Sequence, residues 1–84
     1  MTEKNRILYI YKGCVYCEKV VAYIQQHNLD IPIVDMMQDP SKMTYLYDIG
    51  GKAQAPCLVT NEVPLYESED ILRVLNKGKE KGDD

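Results

Sequence analysis

The sequence has no tryptophan, no phenylalanine, a single histidine and no long apolar run. No stretch approaches the ~20 apolar residues of a membrane-spanning helix, and the first residues lack the cleavage site of a signal peptide. Ten basic residues are outnumbered by thirteen acidic ones, which gives a net charge of −3 without a basic stripe. We therefore expect a cytoplasmic protein, and a monomeric one, that binds neither nucleic acid nor membranes.

Cysteine is also scarce, because three thiols are too few, and odd in number, for a disulfide scaffold. Two of them form a Cys-x-x-Cys pair, Cys14 and Cys17, which could be a metal site, a structural pair or a reactive pair. Zinc needs four ligands, and the remaining candidates are Cys57 and His27, the latter about 15 Å beyond Cys17 along a continuous helix. We therefore expect no metal site. A reactive pair is favoured over a structural one because cytosolic disulfides are rare unless catalytic. Cys57, in an apolar run, is predicted to be a small core residue.

Apolar spacing and turn signals predict four strands and three helices in one domain, residues 1–76. The strands are predicted at 6–11, 31–34, 57–60 and 63–66, and the helices at 14–28, at 39–48 and from Ser68 onward. Pro32 places the second strand at a sheet edge, and Asn61-Glu62 are predicted to turn a hairpin. Ser68 is predicted to cap the last helix. Residues 77–84 are charged and contain no apolar residue, which predicts a disordered tail.

The order β-α-β-α-β-β-α predicts an α/β fold in which a parallel βαβ unit is followed by an antiparallel pair. The two cysteines lie where the first strand gives way to the first helix. Cys17 shares a helix face with Val20 and Ile24 and is predicted to point into the core. Cys14 lies at the N-terminal end, where unpaired backbone N–H groups create a positive field. One exposed and one buried sulfur suit a nucleophile and a resolving thiol.

A nucleophilic cysteine has to be ionised near neutral pH. A free thiol with a pKa of ~8.5 is about 3% ionised at pH 7, whereas a pKa near 6 gives about 90%. That change is worth about 3.4 kcal/mol, of which the helix dipole supplies ~0.3–2 kcal/mol. We expect backbone N–H···S hydrogen bonds and the Lys12 charge to supply the remainder, because Cys-x-x-Cys thiols reach pKa values of ~3.5–7.5.

Three stretches together resemble the glutaredoxin family: Cys14-Val-Tyr-Cys17 after a Tyr-Ile-Tyr strand, Ala55-Pro56 before the third strand, and YESEDILRVL near the end. The nearest likeness is to the thioredoxin-fold domain of glutaredoxins that look like glutathione transferases, and it runs from about Arg6 to Asn76. The resemblance implies a thioredoxin-like fold, with a four-stranded mixed sheet and helices on both faces. It also implies a glutathione-dependent thiol–disulfide oxidoreductase that uses both cysteines. Its expected partners are glutathione, as co-substrate, and disulfide-bearing or glutathionylated proteins, with no tightly bound cofactor.

The resemblance further implies a glutathione site. In the family the proline beside the cysteines follows a cis peptide, so the Ala55–Pro56 bond is expected to be cis and Ala55 to pair with the glutathione backbone. Glu67-Ser68 resembles the pair that holds the γ-glutamyl end in glutathione transferases, at a helix N-terminus that offers N–H groups to a carboxylate. Lys12 and Gln54 are expected to hold the glycyl carboxylate. The residues expected to contact glutathione are Lys12, Tyr16, Gln54, Ala55, Pro56, Glu67 and Ser68.

Plainer interpretations stay open beside these. Ser68 alone could serve as a helix cap, and Glu67 and Lys12 as solvated charges. Val15 stands where the family usually has proline, which should change the thiol pKa and the redox potential, and which leaves an iron–sulfur carrier as one alternative. A redoxin reduced by thioredoxin reductase and a non-catalytic binding module are two more. The helical second domain of transferases is absent from the sequence, so we expect no conjugation chemistry.

Overall fold

The computed structural model describes the backbone of residues 6–82 and the side chains of residues 6–76. The predicted order of elements is confirmed. The elements are β1 (Arg6–Ile10), α1 (Val15–Gln26), β2 (Ile33–Asp35), α2 (Ser41–Gly50), β3 (Cys57–Thr60), β4 (Val63–Leu65) and α3 (Ser68–Gly82). The predicted domain limits, residues 1–76, include residues 1–5, which lie outside the described residues.

The four strands form one mixed sheet in the order β2-β1-β3-β4. β1 and β2 are parallel, as a βαβ unit requires, and the other neighbours are antiparallel. Asn61 and Glu62 join β3 to β4 with φ angles of 51° and 69°, the left-handed pair that a two-residue hairpin turn uses. β2 is an edge strand, as Pro32 predicted. The other edge is β4, which contains Pro64.

Helices cover both faces of the sheet because side chains alternate along each strand. Leu8 faces α1 and α3, whereas its neighbour Tyr9 faces Leu46 of α2. The first cluster contains the fully or nearly fully buried Leu8, Val20, Ile24, Ile31, Leu58, Ile71 and Leu75. The second contains Tyr9, Met36, Leu46, Cys57 and Val59. The thioredoxin-like α/β arrangement and the core position of Cys57 are thereby confirmed.

The buried face of α1 fixes the orientation of its first turn. Cys17, Val20 and Ile24 follow the helical spacing and are all buried. Burying an aliphatic side chain such as Val20 or Ile24 stabilises a fold by about 1.5–3 kcal/mol. With these side chains in the core, the residues that precede Cys17 are held at the surface end of the helix.

The last helix is longer than the sequence predicted. α3 continues to Gly82, where the sequence predicted a disordered tail from residue 77; residues 83–84 lie outside the described part. Lys and Glu are good helix formers, and extending an existing helix is easier than starting one. No helix within residues 6–82, this one included, has both the length and the apolar character needed to cross a membrane.

Candidate active site

Cys14 lies at the N-cap position of α1. Its carbonyl accepts the first helical hydrogen bond from the Glu18 N–H at 2.9 Å, and its own N–H donates to the Tyr11 carbonyl at 3.2 Å. Gly13 has φ 90°, a left-handed conformation in which a side chain would be strained, so glycine allows the chain to turn from β1 into the helix. The turn presents a partly exposed thiol at the helix start.

The first turn of α1 lowers the pKa of the Cys14 thiol below its usual value. The largest cause is the hydrogen bond from the Cys17 backbone, assisted by the Cys17 thiol and the Tyr16 backbone, while burial and the Glu18 charge act in the opposite direction. Hydrogen bonds to the charged form stabilise a thiolate. The predicted help from Lys12 has no counterpart among these contacts, so the backbone at the helix start carries the shift.

Cys17 behaves in the opposite way. It is fully buried, and burial raises the pKa of its thiol to about 11; the neighbouring Cys14 sulfur and the Asp35 charge add to the rise, and the Tyr11 backbone opposes it. Cys14 therefore ionises first, and Cys17 keeps its proton and can donate it in a hydrogen bond to the Cys14 sulfur. Both are free thiols in this structure. The predicted asymmetry of an ionisable outer and a protonated inner sulfur is present.

A solvent-open groove of about 290 Å³ is reached from the pair through Tyr16, which lies between the two cysteines in sequence; neither cysteine is among the residues that line it. Its wall includes Tyr16, which lies two residues after Cys14 and is 61% exposed. Six of the seven residues predicted to contact glutathione line it: Tyr16, Gln54, Ala55, Pro56, Glu67 and Ser68. The Ala55–Pro56 peptide is cis, as the resemblance implied. Lys12 is the predicted residue that does not line the groove.

Ser68 is the buried polar side chain of this region. It is 8% exposed and lines the groove, and within residues 6–76 its hydroxyl has no hydrogen-bond partner. The Ile71 N–H donates to the Glu67 carbonyl at 2.8 Å, so Glu67 occupies the cap position and Ser68 is the first helical residue. This corrects the predicted cap. It also leaves the Ser68 hydroxyl available to a ligand in the groove.

Two groove residues were missed by the sequence analysis. Tyr66 and Glu69 both line the groove, on either side of the predicted Glu67-Ser68 pair. Tyr66 lies at the end of the predicted fourth strand, and the sequence analysis assigns no role to Glu69. Their adjacency to a predicted ligand-binding pair at a helix start was the signal that could have found them.

The molecule has another depression, slightly larger at about 340 Å³, near the β3–β4 turn. It is lined by Ile7, Tyr45, Val59, Asn61 and Glu62, and therefore contains no thiol and no predicted site residue. Within the described residues, no three His, Cys, Asp or Glu side chains are placed to hold a metal ion. The predicted site residues therefore line the groove next to Tyr16 and not this depression.

The mixed four-stranded sheet with its three helices defines a thioredoxin-like fold. Solved structures that share this fold include the holo form of glutaredoxin C1 from Populus tremula x tremuloides (TM-score 0.67, 15% identity, covering 86% of this chain and 74% of that one). A glutaredoxin from Archaeoglobus fulgidus gives a TM-score of 0.67 at 13% identity, covering 86% of each chain. Oxidized glutaredoxin 2 from Chlamydomonas reinhardtii gives 0.66 at 23% identity, covering 89% of this chain and 74% of that one.

Sequence comparison gives the family. The sequence profile of the glutathione S-transferase N-terminal domain matches residues 8–81. The chain therefore belongs to the family of glutathione S-transferase N-terminal domains, and the likeness to glutaredoxin structures concerns its fold. A search of functionally curated proteins gives no significant match.

Proposed function

We propose that the protein is a glutathione-dependent thiol–disulfide oxidoreductase of glutaredoxin type, with Cys14 as nucleophile and Cys17 as resolving thiol. The observation that carries the proposal is the pair itself: a partly exposed thiol with a lowered pKa at a helix start, hydrogen-bonded to a buried thiol whose pKa is about 11. Such a difference assigns one sulfur to attack and the other to resolution. A reducing compartment, the cytoplasm, is the proposed location.

With a glutathione mixed disulfide as substrate, the Cys14 thiolate attacks the glutathione sulfur. A bond forms between Cys14 Sγ and that sulfur, the original disulfide bond breaks, and the released protein thiolate takes a proton from solvent. A second glutathione, as thiolate, then attacks the glutathionyl sulfur bound to Cys14. Oxidised glutathione leaves and the electron pair of the broken bond returns to Cys14, so one reduced glutathione is consumed and one oxidised glutathione is formed for each protein thiol released.

With a protein disulfide as substrate, Cys14 forms a mixed disulfide with the protein, and Cys17 then attacks Cys14 Sγ to release the second protein thiol. Cys17 has to lose its proton for this step. Two of the causes that raise its pKa are the hydrogen bond and the charge of the Cys14 sulfur, and both disappear once Cys14 is bonded to a substrate. The inner thiol therefore becomes easier to ionise at the step that needs it.

The groove supports glutathione as the thiol that is bound. The Ser68 hydroxyl, on a side chain that is 8% exposed, and the backbone N–H groups at the start of α3 suit the γ-glutamyl carboxylate, and Glu67 suits its ammonium group. On the opposite wall, the Ala55 backbone would pair with the cysteinyl residue and Gln54 would reach the glycyl carboxylate. Lys12 lies outside the groove wall, and we propose that its flexible side chain completes the contact with the same carboxylate.

The direct test is incubation with oxidised glutathione followed by mass spectrometry of the intact protein and its peptides. We expect a mass gain of one glutathionyl group on Cys14, retained when Cys17 is replaced by serine. Glutathionylation of Cys57 in preference to Cys14, or no adduct in the Cys17→Ser protein, would contradict the proposal.

A redoxin reduced by thioredoxin reductase is the second candidate, because the thiol pair alone would serve it equally well. Comparing turnover with glutathione and with thioredoxin reductase as the only reductant separates the two functions. The groove favours glutathione, since a protein reductant does not need a pocket of tripeptide size beside the thiols. Val15 stands in place of the usual proline and is 71% exposed, so an iron–sulfur carrier is a further alternative. Absorption by a bound cluster after anaerobic isolation would test it.

A further inference from the structure

The segment between α2 and β3, residues 51–56, forms one wall of the groove but has no regular secondary structure. It carries Gln54, Ala55 and Pro56, three of the groove residues. Irregular segments without ladder hydrogen bonds open easily unless other groups hold them. What holds this segment therefore bears directly on the shape of the ligand site.

Two tyrosine hydroxyls bind consecutive carbonyls of this segment. The Tyr11 hydroxyl donates to the Ala53 carbonyl at 3.1 Å, and the Tyr66 hydroxyl donates to the Lys52 carbonyl at 2.9 Å. Tyr11 directly follows β1 and accepts the hydrogen bond of the Cys14 N–H. Tyr66 directly precedes Glu67 at the other wall. The segment is thus attached to the cysteine side of the groove and to the α3 side at neighbouring positions.

Further contacts fix Tyr66 in place. The Lys52 ammonium lies 4.6 Å from the centre of the Tyr66 ring, within the range of a cation–π interaction. On the α2 side, a Cβ atom added to Gly50 would overlap the Tyr66 hydroxyl and contact Pro64. α2 therefore ends in Gly50, whose missing side chain leaves room for the Tyr66 hydroxyl.

We propose that Tyr11 and Tyr66 are positioning residues that clamp residues 52 and 53 and thereby set the spacing between the two walls of the groove. Tyr11 acts through the backbone that carries Gln54 and Ala55, and Tyr66 acts through the same backbone in addition to lining the groove. Both therefore determine how well a tripeptide thiol fits between that wall and Ser68. The identity of the ligand rests on the proposed function, whereas the clamp itself can be tested without it.

The first test measures ligand affinity in Tyr11→Phe, Tyr66→Phe and the double variant, with S-methylglutathione as an unreactive probe. Each lost hydroxyl should weaken binding by about two- to tenfold, and the double variant should bind weakest. In turnover, KM for the glutathione mixed disulfide should rise while kcat and the pH profile of Cys14 alkylation stay as in the wild type. Wild-type affinity in both single variants would overturn the proposal.

The matched control is Tyr23→Phe. The Tyr23 hydroxyl donates to Asn76 Oδ1 at 3.2 Å, between the later turns of α1 and α3 and away from the groove. Its removal also deletes one tyrosine hydrogen bond but should leave affinity for the probe unchanged. A loss of affinity equal to that of Tyr66→Phe would show that any lost tyrosine hydroxyl acts through general stability, and would overturn the clamp.

The second test needs no ligand. Amide hydrogen exchange at Gln54 and Ala55 should be faster in the double variant than in the wild type and in Tyr23→Phe. Equal exchange in all three proteins would overturn the clamp. If wild-type protein fails to bind S-methylglutathione and forms no adduct with oxidised glutathione, the proposed function fails, and the exchange rates still decide the clamp.

Gly50→Ala perturbs the clamp from α2 without replacing either tyrosine. The added methyl group should displace the Tyr66 hydroxyl and weaken probe binding by at least as much as Tyr66→Phe. The overlap with Tyr66 and Pro64 opposes the helix-propensity gain of alanine, so affinity for the probe, and not stability, is the quantity that tests the clamp. Unchanged affinity would mean that the position of Tyr66 does not matter to the groove.

Discussion

Cys17 and Cys57 are both fully buried thiols, and burial raises the pKa of each to about 11. They differ in their neighbours. Cys17 lies beneath the helix start and hydrogen-bonds the sulfur of Cys14, whereas Cys57 lies among apolar groups that include Met36 and Leu46. Burial alone therefore makes Cys57 an inert thiol. Cys17 is equally buried, but the Cys14 sulfur at the helix start gives it a partner with which it can form a disulfide.

The largest expected effect removes the outer member of the pair. Cys14→Ser should reduce the deglutathionylation rate to that of glutathione alone, because the two remaining thiols are buried and protonated. The rate is measured on a glutathionylated peptide. Cys57→Ala is the control and should keep wild-type activity. Substantial turnover by Cys14→Ser would assign the chemistry to another thiol.

The next effect is a difference in reactivity with pH. A thiol with a pKa of about 11 has at least about 100-fold less thiolate at pH 7 than one with a pKa below 9. Iodoacetamide should therefore modify Cys14 first, with a midpoint below the usual cysteine value, and the two buried thiols only in strongly alkaline solution or after unfolding. Equal alkylation rates for Cys14 and Cys57 in the folded protein would contradict the predicted difference in their pKa values.

A smaller effect is expected when the inner thiol is replaced. Cys17→Ser should retain part of the activity on glutathione mixed disulfides, because glutathione itself can release the Cys14 adduct, but should lose reduction of protein disulfides. The pKa of Cys14 should rise only slightly, since the leading contribution comes from the backbone of residue 17, which the substitution preserves. Parallel assays with the two substrates measure the separation. Loss of both activities would contradict this expectation and would show that Cys14 needs the Cys17 thiol in order to react.

The smallest effect concerns stability and its pH dependence. Cys57→Ala should lower the free energy of unfolding by about 1 kcal/mol through a small cavity, with activity unchanged. The folded-state pKa of Cys57 is raised, so the unfolded chain releases its proton at lower pH, and stability falls as pH rises from about 9 towards 11.

Urea unfolding at several pH values tests this linkage. The alkaline loss of stability should be smaller in Cys57→Ala than in the wild type, by at most about 1.4 kcal/mol for each pH unit in that range. Identical pH dependence in the two proteins would show that the Cys57 thiol ionises as easily in the fold as in the unfolded chain.

Local patterns predicted most of the fold. Short apolar runs bounded by turn signals predicted the strands, Asn61-Glu62 predicted the hairpin, and the spacing of Cys17, Val20 and Ile24 predicted the buried face of α1. These signals act over a few residues. The cis bond before Pro56 came only from the family resemblance, because no local pattern distinguishes it. The helix beyond residue 76 was missed because charge and glycine were weighed above the helix propensity of Lys and Glu.

The candidate site was predicted in part for the same reason. The Cys-x-x-Cys pair and Glu67-Ser68 are contiguous motifs, so the sequence reveals them. The hydroxyl contact from Tyr11 spans 42 positions along the chain, and its target is a backbone carbonyl that has no sequence signature. The effect of Lys12 on the Cys14 thiol was predicted from its nearness in sequence, but the helix backbone lowers the thiol pKa, and Lys12 is not among the residues that line the groove.

The two edges of the sheet carry a final consequence. β2 and β4 are each three residues long, Pro32 immediately precedes the first, and Pro64 lies within the second. A short strand interrupted by a residue without an N–H donor is a poor template for another chain. Concentrated protein should therefore resist strand-to-strand aggregation even when its thiols are fully reduced.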